Sequence, residues 1–166
     1  MRIALLLALL FAPVTLAADS GLAQLDFLIG EWRGKSTGEP GEGTTHRVCE
    51  KALNAKFVEC RTTTVYPPQE KNPKGETHVD RAFFSYDRDA KKLRLRQFHG
   101  EGFVNSYVQS DGLAFETDAI ENIPAGWRAR ETYKPLSADS WSETFELAEP
   151  GKGFELYSSS VLERVK

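Results

Sequence analysis

The residues best suited to chemistry in this chain lie on short segments that alternate polar and apolar side chains. Gln97-Phe98-His99-Gly100-Glu101-Gly102-Phe103 is the most unusual local string. Its two glycines let the backbone bend, or admit close approach, beside a His and a Glu. His99 there suits a ligand contact, a proton donor or a metal ligand at the mouth of a cavity; an exposed hairpin-turn histidine is the plainer alternative. Further on, Trp127, Ala129, Glu131 and Tyr133 share one face of an extended segment, and Trp141, Glu143, Phe145 and Leu147 share one face of another. The aromatic faces are expected inside, and they carry Glu131 and Glu143 with them. A buried carboxylate needs a partner such as Arg or rises in pKa. These glutamates therefore read in three ways: polar groups in a ligand cavity, a Glu–Arg network that sets register, or side chains facing water. Arg96, Asn105 and Arg130 complete the polar candidates for orienting a ligand, with Trp127 as wall or as barrel core.

Other chemistries find little support. His46 and His78 lack close metal-ligand spacing, so no metal is expected. No G-x-S-x-G or S-x-x-K element supplies a serine nucleophile. Gly100-x-Gly102 is not a nucleotide loop, because no helix follows to present its N-terminus to phosphate. An enzyme would have to use a proton-transfer pair such as His99 with Glu131.

The elements that must position these residues are short strands, each followed at once by a turn signal. Ser110-Asp111-Gly112, Ile123-Pro124-Ala125-Gly126, Ser137-Ala138-Asp139-Ser140 and Glu149-Pro150-Gly151 are the later turns. A hairpin of about Thr44–Lys51 with Lys56–Tyr66 precedes them, its second arm rich in Val58, Thr62, Thr63, Thr64 and Val65. Pro67, Pro68, Pro73 and Gly75 mark a long loop rather than a domain boundary. Gly21 to Leu28 predicts one or two turns of helix that could plug one end. The sum is an all-β, up-and-down antiparallel barrel of about ten strands, spanning residues 19–166 as one domain. A two-sheet sandwich is the main competitor, and the steady short connections favour the meander.

Residues 1–18 read as a signal peptide: Arg2 starts it, Ile3 to Ala12 is apolar, and Thr15-Leu16-Ala17-Ala18 offers small residues for cleavage. The apolar run is shorter than the roughly 20 residues a membrane span needs. A secreted or periplasmic location is expected. There the two cysteines, Cys49 and Cys60, should form a disulfide, since a hairpin centred between Asn54 and Ala55 sets them directly opposite. Closing so short a loop stabilises by about 3 kcal/mol at most. The chain has 21 Lys and Arg against 24 Asp and Glu, a net charge of -3. Mildly acidic and with signs interspersed, it has no electrostatic reason to hold nucleic acid or an anionic membrane surface.

From Gly30-Glu31-Trp32 onward the chain resembles the calycin group: lipocalins, fatty-acid-binding proteins and their relatives. Those barrels open with a G-x-W turn whose Trp closes one end beneath an Arg of the last strand. The resemblance implies that Trp32 and Arg164 are that structural pair. Leu25 to Gly34, Ala52 to Phe57 and Phe84-Ser85-Tyr86-Asp87 are similar to bacterial lipocalin-like domains of uncharacterised function, and more loosely to nitrobindin-type barrels. Members of the latter bind haem through a His near the C-terminus, whereas no His follows His99 here; no cofactor is expected, with haem the one candidate to test. Together these readings point to an exported protein that encloses a small hydrophobic or amphipathic molecule, with a His/Glu barrel enzyme or a ligand-free envelope interaction module as alternatives.

Overall fold

The computed structural model describes residues 21–166. The expected signal peptide, 1–18, lies outside the described residues. A 3-10 helix, Gly21–Leu28, precedes ten strands: β1 (Gly30–Gly38), β2 (Gly43–Ala52), β3 (Phe57–Tyr66), β4 (Glu76–Asp87), β5 (Lys92–His99), β6 (Val104–Gln109), β7 (Ala114–Glu121), β8 (Arg128–Ser137), β9 (Ser140–Ala148) and β10 (Glu155–Arg164). Each strand pairs antiparallel with its sequence neighbours, and β1 pairs with β10, so the sheet closes into a barrel. The predicted all-β meander is the observed fold, with strand ends shifted by a few residues. Closure leaves no unpaired edge.

The N-terminal segment is 3-10 rather than α-helical, and its leucines explain why. Leu22, Leu25 and Leu28 are three residues apart and all buried. At three residues per turn they stack in one line, whereas an α-helix would fan them over about 120°. That face caps the barrel end where Trp32, Val58, Phe84, Leu93, Leu95, Phe115, Trp141 and Leu162 form the hydrophobic core. Edge-on aromatic pairs fill this end, among them Trp32 with Trp141 and Phe84 with Phe115.

Cys49 and Cys60 are direct cross-strand partners in the β2–β3 ladder and form the disulfide, with Cα atoms 4.1 Å apart. The turn between them holds Leu53, Asn54 and Ala55 at positive φ. Left-handed backbone costs a non-glycine residue roughly 1–2 kcal/mol, so the flanking ladder and the covalent link hold a turn that would not persist alone.

The barrel seam is made where the sequence pattern places it. Trp32 and Arg164 are register partners, and the Arg164 guanidinium lies 4.1 Å above the indole ring. Nη1 of Arg164 donates to the Ile29 carbonyl at 2.9 Å, and Trp32 Nε1 donates to the Leu28 carbonyl at 2.7 Å. Gly30 has φ +135°, and a β-carbon there would collide with Nη1 of Arg164. The glycine of the G-x-W turn is thus the space through which the arginine reaches. Arg164→Ala should cost about 1–3 kcal/mol from the lost stacking and the orphaned carbonyl. Arg164→Lys should recover little of it, because an ammonium cannot stack flat and donate sideways together. Equilibrium urea denaturation of the three proteins measures both effects.

Candidate functional site

Alternation along each strand divides the interior into an apolar closed end and a hollow open end. In β5 the inward residues run Leu93, Leu95, Gln97, His99, passing from core to polar to rim. In β9 they run Trp141, Glu143, Phe145, Leu147. Above the core lies a cavity of about 510 Å³. Its floor is polar, with Arg47, Thr62, Asp80, Gln97, Asn105, Glu131 and Glu143; its upper wall is largely apolar, with Tyr66, Phe103, Ile120, Trp127, Phe145 and Tyr157. The β7–β8 ladder stops after Glu116↔Arg130. Thr117 Oγ1 then accepts the Ala129 amide at 2.9 Å, and Ile120, Ile123, Pro124 and Trp127 line the cavity beyond that point.

The floor is organised around one buried ion pair. Nη1 and Nη2 of Arg47 donate to the two Glu143 oxygens at 2.9 and 2.8 Å, a bidentate fork closed across the barrel. Arg47 also lies 5.2 Å over the Trp141 ring. Burial alone would drive the guanidinium towards neutrality, but the Glu143 carboxylate and its hydrogen bond, together with Tyr133 and Asp80, reverse this and hold it protonated. Beside the pair, Glu131 accepts from Tyr133 OH and, at 3.4 Å, from Tyr107 OH. Burial first, then the Glu143 charge, pushes the Glu131 carboxyl up to about 8, so it is largely protonated at neutral pH. Burial also raises Asp80, to about 6, against the pull of Arg47.

At the rim, His99 ends β5 with its side chain on the cavity, rather than sitting exposed in the turn. Its ring stacks on Phe103 with centroids 4.0 Å apart. Burial lowers its pKa to about 4, outweighing the nearby Glu101 carboxylate, so the imidazole is neutral. Glu101 instead binds His78 Nδ1 at 2.5 Å. His99 Nε2 meets Asn105 Nδ2 at 3.3 Å, and Asn105 Nδ2 also donates to Tyr107 OH at 2.9 Å. The route from His99 to Glu131 therefore passes through two side chains, and a base with pKa about 4 has little driving force for proton abstraction at neutral pH.

Of the residues singled out in the sequence, His99, Asn105, Trp127, Glu131 and Glu143 line the cavity. Arg96 and Arg130 do not. Both lie on the outer wall: Arg96 pairs with Glu121 at 2.8 Å, and Arg130 pairs with Glu116 and Glu146 while stacking 4.0 Å over Phe154. Strand parity sets this, since Leu95, Gln97, Ala129 and Glu131 take the inward positions. Arg47, Thr62, Asp80 and Tyr107 were missed. A local signal existed for the first two, because Arg47 and Thr62 stand two residues from the paired cysteines and share their inward face. No local signal ties Arg47 to Glu143, 96 residues away.

Among the described residues no group of three His, Cys, Asp or Glu side chains is disposed to hold a metal. The haem site of the nitrobindin-type barrels finds no fit either. β10 brings Tyr157, Ser158 and Ser160 to the cavity and no histidine, while His99 is stacked on Phe103 and engaged by Asn105.

No family model matches the chain, and neither does any curated protein. Solved structures do match. The crystal structure of Rv2717c from M. tuberculosis superposes with a TM-score of 0.65 at 18% identity, covering 87% of this chain and 97% of that one. At that identity the likeness is one of fold, and it extends over nearly the whole barrel.

Two predictions follow from the floor. Glu143→Leu leaves Arg47 buried without a counter-charge and should cost about 3–5 kcal/mol, whereas the double change with Arg47→Met should restore most of that, as measured by urea denaturation. The pH dependence has a definite sign. Asp80 and Glu131 have folded pKa values above their unfolded ones, so their contribution to stability is present at low pH and lost as pH rises through the folded values. His99 is the reverse, contributing fully above its unfolded value near 6.5 and losing that as pH falls towards 4. The two kinds oppose each other between pH 4 and 6, and above 6.5 the slope belongs to Glu131. The gain in Tm of Glu131→Gln over the parent protein should therefore grow from pH 6.5 to 9.

Proposed function

We propose that the protein is an exported, calycin-like barrel that holds a small, mainly apolar molecule in its open end. The observation that carries this reading is the cavity itself. A volume of about 510 Å³ under an aromatic rim, over a floor with a few polar groups, has the size and character of a small-molecule site. Burial of the ligand's apolar surface against Phe103, Trp127, Phe145 and Tyr157 would supply most of the affinity, and the floor would set orientation. The filled-barrel alternative is disfavoured by the same hollow, and the His99/Glu131 enzyme by the weak basicity of His99. Export is supported by the apolar leader over 1–18 and by a disulfide of the kind that persists in oxidising compartments.

Titration with Nile red, an uncharged fluorescent probe, tests the reading. Saturable uptake with one probe per barrel is expected. Ala129→Phe, which fills the hollow from β8, should abolish it, and Trp127→Ala should weaken it by about tenfold, or 1.4 kcal/mol. Uptake that never saturates, or that survives the filled cavity, would remove the proposal.

A further inference from the structure

We propose that the molecule held in the barrel is an organic cation: an apolar body carrying an amine head that is received by the carboxyl groups of the floor. This rests on the ligand-binding reading above and names its chemical class. An anionic head group buried at the floor would need a free guanidinium beside it. Here that group is already taken. Both Nη atoms of Arg47 are held by both oxygens of Glu143, so the pair presents a neutral face to the hollow. What remains of charge around the cavity is acidic. Four carboxyls, Asp80, Glu101, Glu131 and Glu143, line it against a single guanidinium. A carboxylate head lowered to the floor would meet the Asp80 and Glu143 carboxylates, with Arg47 already committed to Glu143, and so would make like-charge contacts.

A second observation points the same way. Asn105 is 2% exposed and lines the cavity, and its Oδ1 has no hydrogen-bond partner while its Nδ2 is engaged by Tyr107 and His99. A buried orphan acceptor calls for a donor. An ammonium has three N–H donors and no acceptor, which suits Asn105 Oδ1 together with the neighbouring carboxyls. Two other floor atoms lack partners, Arg47 Nε and the Thr62 hydroxyl. They belong to register partners on β2 and β3; Arg47 Nε can only donate, the Thr62 hydroxyl can donate or accept, and neither has a partner.

Burial raises Asp80 to about 6 and Glu131 to about 8, so at pH 7 Glu131 keeps its proton while Asp80 is largely ionised. The groups facing these two are Arg47 from β2, Gln97 from β5, Tyr107 from β6, Tyr133 from β8 and Glu143 from β9. None is an uncommitted cation. A bound ammonium would be one, and it would let Glu131 ionise against it alongside Asp80. Above, the rim's aromatic faces accommodate the apolar body.

The test is competition against bound Nile red at pH 7 by decylamine, decanol and decanoate, three ligands of one chain length differing in head group and used below their micelle concentrations. Decylamine should displace the probe at a concentration at least tenfold below decanol, with decanoate the weakest. Decanoate equal to or better than decylamine overturns the proposal, and so does an amine no better than the alcohol; in both cases probe uptake itself stands, so the binding reading survives separately. If neither probe nor decylamine binds, by fluorescence or by calorimetry, both readings fall. In Glu131→Gln and Asp80→Asn the amine-to-alcohol preference should shrink several-fold. A preference unchanged in both variants would place the head group elsewhere and overturn the assignment to the floor. The head-group series on the parent protein decides the class even if a variant fails to fold.

Discussion

The ladder between β1 and β10 joins the two ends of the chain, and every interior contact depends on it. Seven register pairs, from Trp32↔Arg164 to Gly38↔Ser158, turn an open ten-stranded sheet into a ring. Inside the seam a line of hydroxyls crosses four strands: Ser160 to Ser36 at 2.7 Å, Ser36 to Thr45 at 2.5 Å and Thr45 to Thr64 at 2.9 Å. At the closed end Trp32 and Arg164 clamp the same seam beneath the leucines of the 3-10 helix. Were the ring open, water would reach the floor, and the low-dielectric setting that strengthens the Arg47–Glu143 pair and holds protons on Glu131 would disappear.

The interior is divided in a way that folding alone does not require. The closed end packs tryptophan, phenylalanine and leucine, as a small barrel can do throughout. The open end instead keeps a hollow and surrounds its base with charged and polar side chains. A buried ion pair is commonly no better for stability than well-packed apolar residues of the same size, and protonating Glu131 and Asp80 spends part of the folding energy as pH rises. The proposed ligand would offset that cost by meeting the floor. The same physics disposes of arginines on the outer wall. Arg94, Arg96 and Arg130 sit opposite Asp118, Glu121, Glu116 and Glu146 in exposed or half-exposed pairs worth little individually.

The sequence by itself determined the parts that depend on local parity and local turns. Alternation along β8 and β9 put Glu131 and Glu143 on the aromatic, inward faces, and the spacing of Cys49 and Cys60 about Asn54 and Ala55 paired them. The turn signals set ten strands in meander order, and the G-x-W string with Arg164 marked the seam. These features are legible because a strand has a period of two and a hairpin has a centre, both properties of a few neighbouring residues. Only the tertiary structure decided which inward residues face each other across the hollow. Arg47 meets Glu143 because the number of strands and their stagger around the closed ring bring those positions to one level. The same stagger, with the early end of the β7–β8 ladder, set how much space was left unfilled. Ring geometry of that kind is a property of all ten strands at once, and no window along the chain contains it.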